Sequence, residues 1–261
     1  MATPLRVVTA ALLFLTAIAA TGGRPVCAKE AGGDTGITFE TILEVEHTAR
    51  LLAILLDSGR SVINENQDIF DEPGTSGKGL APDVFERQLT DMFRSRSGVD
   101  LHNLNAGHVP GQAKKLMKEL VAVSRHVVAD VQSERNPSGK PGRFIPAIFG
   151  DRVAALFTER TGVRMKQTTL VPRNVANAPD STERSALEFF ADPSYPREKP
   201  IGETTAKSGI FRLMFPLYTT RRCLDCHGEP KGELDRTGYP KEGLKLGQNA
   251  GAISVIIPIA K

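Results

Sequence analysis

An α+β fold is what the order of patterns along this chain predicts, and three observations carry the prediction. Apolar residues recur at the helical spacing of three and four from Ile42 to Val131, and again ahead of Gly162. Past Met165 the period shortens to two. Pro- and Gly-containing clusters separate the segments. Helices first and strands afterwards place helices against an antiparallel sheet rather than between parallel strands.

In the first helical segment Ile42, Leu43, Leu51, Leu52, Leu55, Leu56, Val62 and Ile63 share one face. Asp71-Glu72-Pro73-Gly74 closes it, Pro82 opens the next helix, and Gly98 caps that helix after a basic last turn. Leu116, Leu120, Val123, Val127 and Val131 mark a second face, closed by Asn136-Pro137-Ser138-Gly139, and Gly162 mirrors Gly98. The two halves form an internal repeat. Gly59 to Ile63 with Gln67 recurs as Ser124 to Val128 with Gln132; Leu80 to Phe85 recurs as Phe144 to Phe149; Phe93 to Val99 recurs as Phe157 to Val163. Amphipathic periodicity alone does not require matched prolines, phenylalanines and Gly-Val endings. Strands are expected over Met165 to Val171, Ile210 to Tyr218 and Ala252 to Ile259, with a short helix opened by the capping box Asp180 to Glu183.

At 261 residues, 40% hydrophobic and 24% charged, the chain is able to bury a sizeable core. Its net charge of +3 is spread without a basic run or interleaved aromatics, which gives no support to nucleic-acid binding. The N-terminus carries a basic start ending at Arg6, an apolar run from Val7 to Ala20 too short to span a bilayer comfortably, and the cleavage signal Ala17-Ile18-Ala19. Residues 1–28 therefore read as a signal peptide cleaved after Ala19 or Ala28. The expected location is the periplasm or the outside of the cell, with a mature protein soluble after cleavage. Residues 37–108 form the first helical unit, and residues 112–261 the second together with the strands.

Within that second part, Cys223-Leu224-Asp225-Cys226-His227 has the spacing of a covalent c-type haem site. The two thiols add to the haem vinyl groups, and the histidine is placed as proximal iron ligand. A structural zinc site would need more ligands, yet the other cysteine is Cys27 and no close-spaced histidine pair accompanies it. A thioredoxin-type pair would follow a βαβ pattern, whereas Cys223 follows an alternating strand and runs into Gly228-Glu229-Pro230. The expected cofactor is one covalently attached haem c.

From about Leu116 to the C-terminus the chain resembles the exported single-c-haem domain with a PAS-like fold. That domain, formerly one of unknown function, occurs both alone and as the sensor part of bacterial signalling proteins. The resemblance rests on Phe144 to Phe149, Lys166-Gln167-Thr168-Thr169-Leu170, Arg173-Asn174, Asn177-Ala178-Pro179-Asp180, Arg212 to Leu217, Cys223 to Gly228 and Gly251 to Pro258. Val175 departs from it, because the family usually has proline after the Arg-Asn pair. The segment from Phe39 to Asn105 resembles only the helical half of the domain.

The resemblance implies a PAS-like sheet wrapped by helices, with haem in the pocket that PAS domains use for ligands. In a relative the ligand opposite histidine is a cysteine thiolate; here Cys27 lies in or beside the export signal, which leaves the sixth ligand open. Met214 or Met165 would give a His/Met iron of raised potential, and His126 or His47 a bis-His iron of lower potential. A vacant or water-bound position is the further alternative. Arg173 and Asn174 are candidates for the propionate side, with turn chemistry as the competing role; Arg212 reads as an outward strand position.

Two functions follow as expectations. One is a haem sensor that responds to redox state or a small gas ligand and signals to a protein partner; the other is an electron-transfer cytochrome serving a redox partner. A peroxidase-like enzyme would need a distal His/Arg pair that the sequence does not assign, and no catalytic activity is expected.

Overall fold

The computed structural model describes residues 38–71, 80–133, 144–205 and 209–259. The signal segment, Cys27 and the stops at 72–74 and 136–139 lie outside them.

Helix α1 (Phe39–Glu65) starts at Thr38, whose hydroxyl accepts a hydrogen bond from the Thr41 N–H at 3.1 Å. The expected single helix running to Asp71 is broken at Asn66, where a short α2 (Gln67–Asp71) begins. Asn66 Nδ2 donates to Val62 O and to Gln88 Oε1, each at 2.8 Å, so its side chain competes with continuation of the helix. Helices α3 (Pro82–Ser97), α4 (Gly111–Ser133) and α5 (Pro146–Thr161) follow. Both α3 and α5 begin with proline and end on a left-handed glycine, Gly98 and Gly162, each with φ 73°. The repeat is thus written into the caps.

Helices α1, α3, α4 and α5 pack on one another as a bundle. Phe85 and Phe149 are equivalent positions of the two repeat copies, and their rings meet at 5.5 Å. Gly59 of α1 allows that packing, because a Cβ there would lie 2.8 Å from the Phe149 ring.

The sheet is antiparallel in the order β1-β4-β3-β2, with β1 (Arg164–Thr168), β2 (Ile201–Thr205), β3 (Ile210–Tyr218) and β4 (Asn249–Pro258). The architecture is therefore α+β. Strand β1 stops at Thr168, short of the expected Val171, and β4 starts three residues before the expected Ala252. Sequence reading missed β2, a five-residue edge strand, Ile-Gly-Glu-Thr-Thr, too short and too exposed to show alternation.

Met165, Phe211, Leu213, Phe215, Leu217, Ile253, Val255 and Ile257 belong to the same core as the helices. Helix α1 lies against β3 and β4. Segments 37–108 and 112–261 therefore share one hydrophobic core. The opposite face presents Met214 and Ala252 to Ala186, Leu187 and Phe190 of α6 (Ser181–Ala191). The expected capping box is present at the start of α6: Asp180 Oδ1 accepts from Glu183 N at 2.8 Å, and Glu183 Oε2 accepts from Asp180 N at 2.9 Å.

Candidate functional site

The CxxCH segment leaves the sheet at the end of β3 and is held by the chain that returns to β4. Thr219 N donates to Gln248 O at 2.9 Å, Gly247 N donates to Thr219 O at 3.0 Å, and the Thr219 hydroxyl donates to Lys245 O at 2.5 Å. Between these ties a single helical turn forms, α7 (Leu224–His227), with Cys223 as its N-cap. His227 N donates to Cys223 O at 2.9 Å and Gly228 N to Leu224 O at 2.9 Å. Positions i, i+3 and i+4 of such a turn share a face. Cys223, Cys226 and His227 therefore point to one side, and Leu224 and Asp225 to the other. Gly228 closes the turn because a Cβ there would sit 2.5 Å from Leu224 O.

Both thiols are free and partly exposed, with Cys223 Sγ 3.2 Å from the Thr220 hydroxyl. His227 is fixed at two points. Its carbonyl accepts from Leu244 N at 2.8 Å, and its ring Nδ1 lies 2.8 Å from Glu242 Oε2. Nε2 has no hydrogen-bond partner among the described residues, and the side chain is 41% exposed.

Beneath the turn runs an ionic chain that starts in the loop after β1. Arg173 Nε donates to Glu242 Oε1 at 2.6 Å and Nη2 to Glu242 Oε2 at 2.9 Å, a two-point grip on the carboxylate. Nη1 donates to Asp235 Oδ2 at 2.7 Å, and Nη2 also reaches Cys226 O at 2.9 Å. The guanidinium lies 5.5 Å from the centre of the Tyr239 ring. Asp235 is fully buried; its Oδ1 accepts from the Thr237 hydroxyl at 2.6 Å and from the backbone N–H groups of Thr237 and Tyr239. Burial opposes ionisation of Asp235, yet the bonds from Thr237, Arg173 and the backbone outweigh it and hold the carboxyl well below its ordinary range. Glu242 behaves likewise: burial raises its pKa, while the bonds from Arg173 and His227 lower it further. Arg173 is held charged by the two carboxylates against its own burial, which pulls the other way.

The structure brings together Cys223, Cys226, His227 and Arg173. Arg173, expected at haem propionates, is engaged by Asp235, Glu242 and the Cys226 carbonyl, contacts that join three loop segments. Asn174 serves the turn: its side-chain oxygen accepts from Ala176 N at 3.1 Å as the cap of a short 3-10 helix, Val175–Asn177. Arg212, expected to point into solvent, is largely covered and pairs with Asp180 at 2.6 Å, anchoring α6 to the sheet.

The candidate iron ligands opposite His227 stand in three different environments. Met165 packs in the core shared with the helices, and Met214 packs on the other face against α6. The two therefore cannot serve one site together. His126 is half exposed on α4 with Nε2 3.3 Å from Asp130, and His47 is exposed on α1.

Sequence reasoning missed Glu242, Asp235 and Tyr239. Nothing periodic marks them within residues 229–248; the one available signal was a set of acidic residues in the Gly-rich stretch directly after the motif. Val171, Val175, Tyr239 and Leu246, all large and exposed, lie in the segments that carry Arg173 and Glu242.

The α+β chain thus displays two free thiols and an imidazole on one face of a surface turn. The family is shown as well: the Tll0287-like family model matches residues 40–258, and the chain belongs to that family. The match takes in α1 and α3, which the resemblance drawn from sequence had set apart. Among solved structures the cyanobacterial haem protein Tll0287 is similar at 18% identity, with a TM-score of 0.39 over 58% of this chain and 98% of that one. No curated protein matches.

Proposed function

We propose that this protein is an exported mono-haem c-type protein acting as a redox or small-ligand sensor. Cys223 and Cys226 would carry the haem, and His227 Nε2 would ligate its iron. The observation that carries the reading is the α7 turn, which sets both thiols and a histidine with a free Nε2 on one face. Membership of the Tll0287-like family, whose namesake is described as a haem protein, supports the cofactor. The exposed Val171, Val175, Tyr239 and Leu246 fit it too, as apolar surface that a haem would cover. A sheet with its first strand beside its last, carrying helices on both faces, supports the PAS-like part of the reading.

When bound, the haem supplies an iron that changes oxidation state or takes up a small ligand. The chain's own residues hold it. Thr219 and Leu244 fix the ends of the turn, Glu242 orients the His227 ring, and Arg173 holds Glu242 in place. Met165 and Met214 are packed in separate cores and His126 Nε2 lies 3.3 Å from Asp130, so these candidates are engaged elsewhere, which supports an iron face open to a small ligand and favours sensing. The partial exposure of His227 favours electron transfer as the second reading, since a cofactor near the surface is accessible to a redox partner.

The test begins with the mature protein made in a host that attaches c-type haem. Wild type is expected to keep haem on a denaturing gel and the Cys223→Ala, Cys226→Ala double variant to lose it; haem retained by the double variant refutes the site. Binding of carbon monoxide or nitric oxide to the reduced protein is expected for the sensor. A six-coordinate iron that ignores both gases and is reduced rapidly by a donor protein would replace it with electron transfer.

A further inference from the structure

We propose that Glu242 is the positioning residue for His227: it selects the ring tautomer that leaves Nε2 free and lowers the reduction potential of an iron bound there. The inference rests on the reading of His227 as a haem ligand and adds a residue that the CxxCH motif does not contain.

A neutral imidazole carries one N–H, and the hydrogen bond made by one nitrogen decides which nitrogen keeps a lone pair. At 2.8 Å from Nδ1, the Glu242 carboxylate accepts only, so the ring must donate from Nδ1 and present Nε2 as the ligand atom. Glu242 does not swing freely. Arg173 grips both of its oxygens at 2.6 and 2.9 Å, Asp235 holds Arg173 at 2.7 Å, and Arg173 returns to the carbonyl of Cys226 at 2.9 Å. The network that orients the ligand is therefore fastened to the thiol-bearing turn itself.

An anionic acceptor on Nδ1 draws the ring proton away and makes the imidazole a stronger electron donor. Stronger donation favours ferric over ferrous iron and lowers the potential. Arg173 opposes this, because its grip withdraws charge from the same carboxylate. The two residues act on the iron with opposite signs.

Two variants separate positioning from charge alone. Glu242→Gln removes the charge, whereas Glu242→Asp keeps it beside Arg173 on a side chain shorter by about 1.5 Å, too short to hold both Arg173 and the ring. In the haem-free protein, above the pH at which histidine is charged, ring 15N shifts are expected to show the Nδ1–H tautomer in wild type and loss of that preference in both variants. In the haem-loaded protein both variants are expected to keep covalent haem on a denaturing gel and to show a raised midpoint potential. An Nε2–H tautomer in wild type overturns the proposal, as does a wild-type potential in Glu242→Asp alongside a raised one in Glu242→Gln, which would mean charge at a distance. The haem-free tautomer reading stands apart from haem attachment. If wild type holds no covalent haem yet shows the Nδ1–H tautomer, the haem reading fails while the orienting role stands.

Discussion

Asp235 governs how the site responds to acid. Its carboxyl lies far below its ordinary value of 3.8, with burial overcome by bonds from Thr237 and Arg173, and Asp180 is lowered too, with burial overcome by the Glu183 backbone and Arg212. A depressed carboxylate pKa means that the unfolded chain binds the proton more readily than the folded one, so these groups stabilise the fold above about pH 4 and the contribution is lost as pH falls below it. The urea midpoint is accordingly expected to fall between about pH 4 and pH 2. Asp235→Asn should weaken that dependence and cost about 2 kcal/mol at neutral pH, because Arg173 loses a charged partner; an unchanged acid limb in urea titrations would remove Asp235 from this role. At this scale the sequence was legible where the chemistry is local. Cys223, Cys226 and His227 lie within five residues of one another, so the turn that sets them on one face follows from their spacing. Glu242 stands fifteen positions beyond His227, and only closure of the loop brings the two together.

Among the elements, the duplicated helix pairs show how much of a fold local signals dictate. Pro82 and Pro146 start helices because proline lacks only an N–H that the first turn cannot use, and Gly98 and Gly162 stop them at φ 73°. Ser97 and Thr161 repeat the detail, each accepting from the N–H two residues on at 3.1 Å. All four ends were readable in the sequence. Strand β2 was not, since its identity comes from pairing Ile201 with Met214 and not from its own pattern. Gly98→Ala and Gly162→Ala are each expected to cost about 1 kcal/mol in urea unfolding from the strained left-handed cap. The two costs should add in the double variant, as the caps end separate helices with no shared hydrogen bond. A marked deviation would show that the caps are coupled.

For the molecule as a whole, α1 is the organising element. Its buried face, including Leu52, Leu55, Leu56 and Ile63, joins the helices to the sheet in one core. The paired helices and their caps were legible in the sequence; the shared core was not, because periodicity shows which face is apolar but not what covers it. A chain beginning at residue 108 would uncover Phe149, Leu213 and Val255. It is expected to lose cooperative thermal unfolding and to bind a hydrophobic dye. A sharp melting transition with no dye binding would show that the C-terminal part folds alone.

Tyr218 pairs with Asn249 at the base of the excursion that carries the CxxCH turn. Closing a loop of roughly thirty residues costs about 3 kcal/mol of chain entropy. Here the β3–β4 ladder meets that cost through contacts made elsewhere in the sheet. The ladder thus sets where the excursion leaves and rejoins the sheet, while the turn that carries Cys223, Cys226 and His227 closes locally through the His227 N–H to the Cys223 carbonyl.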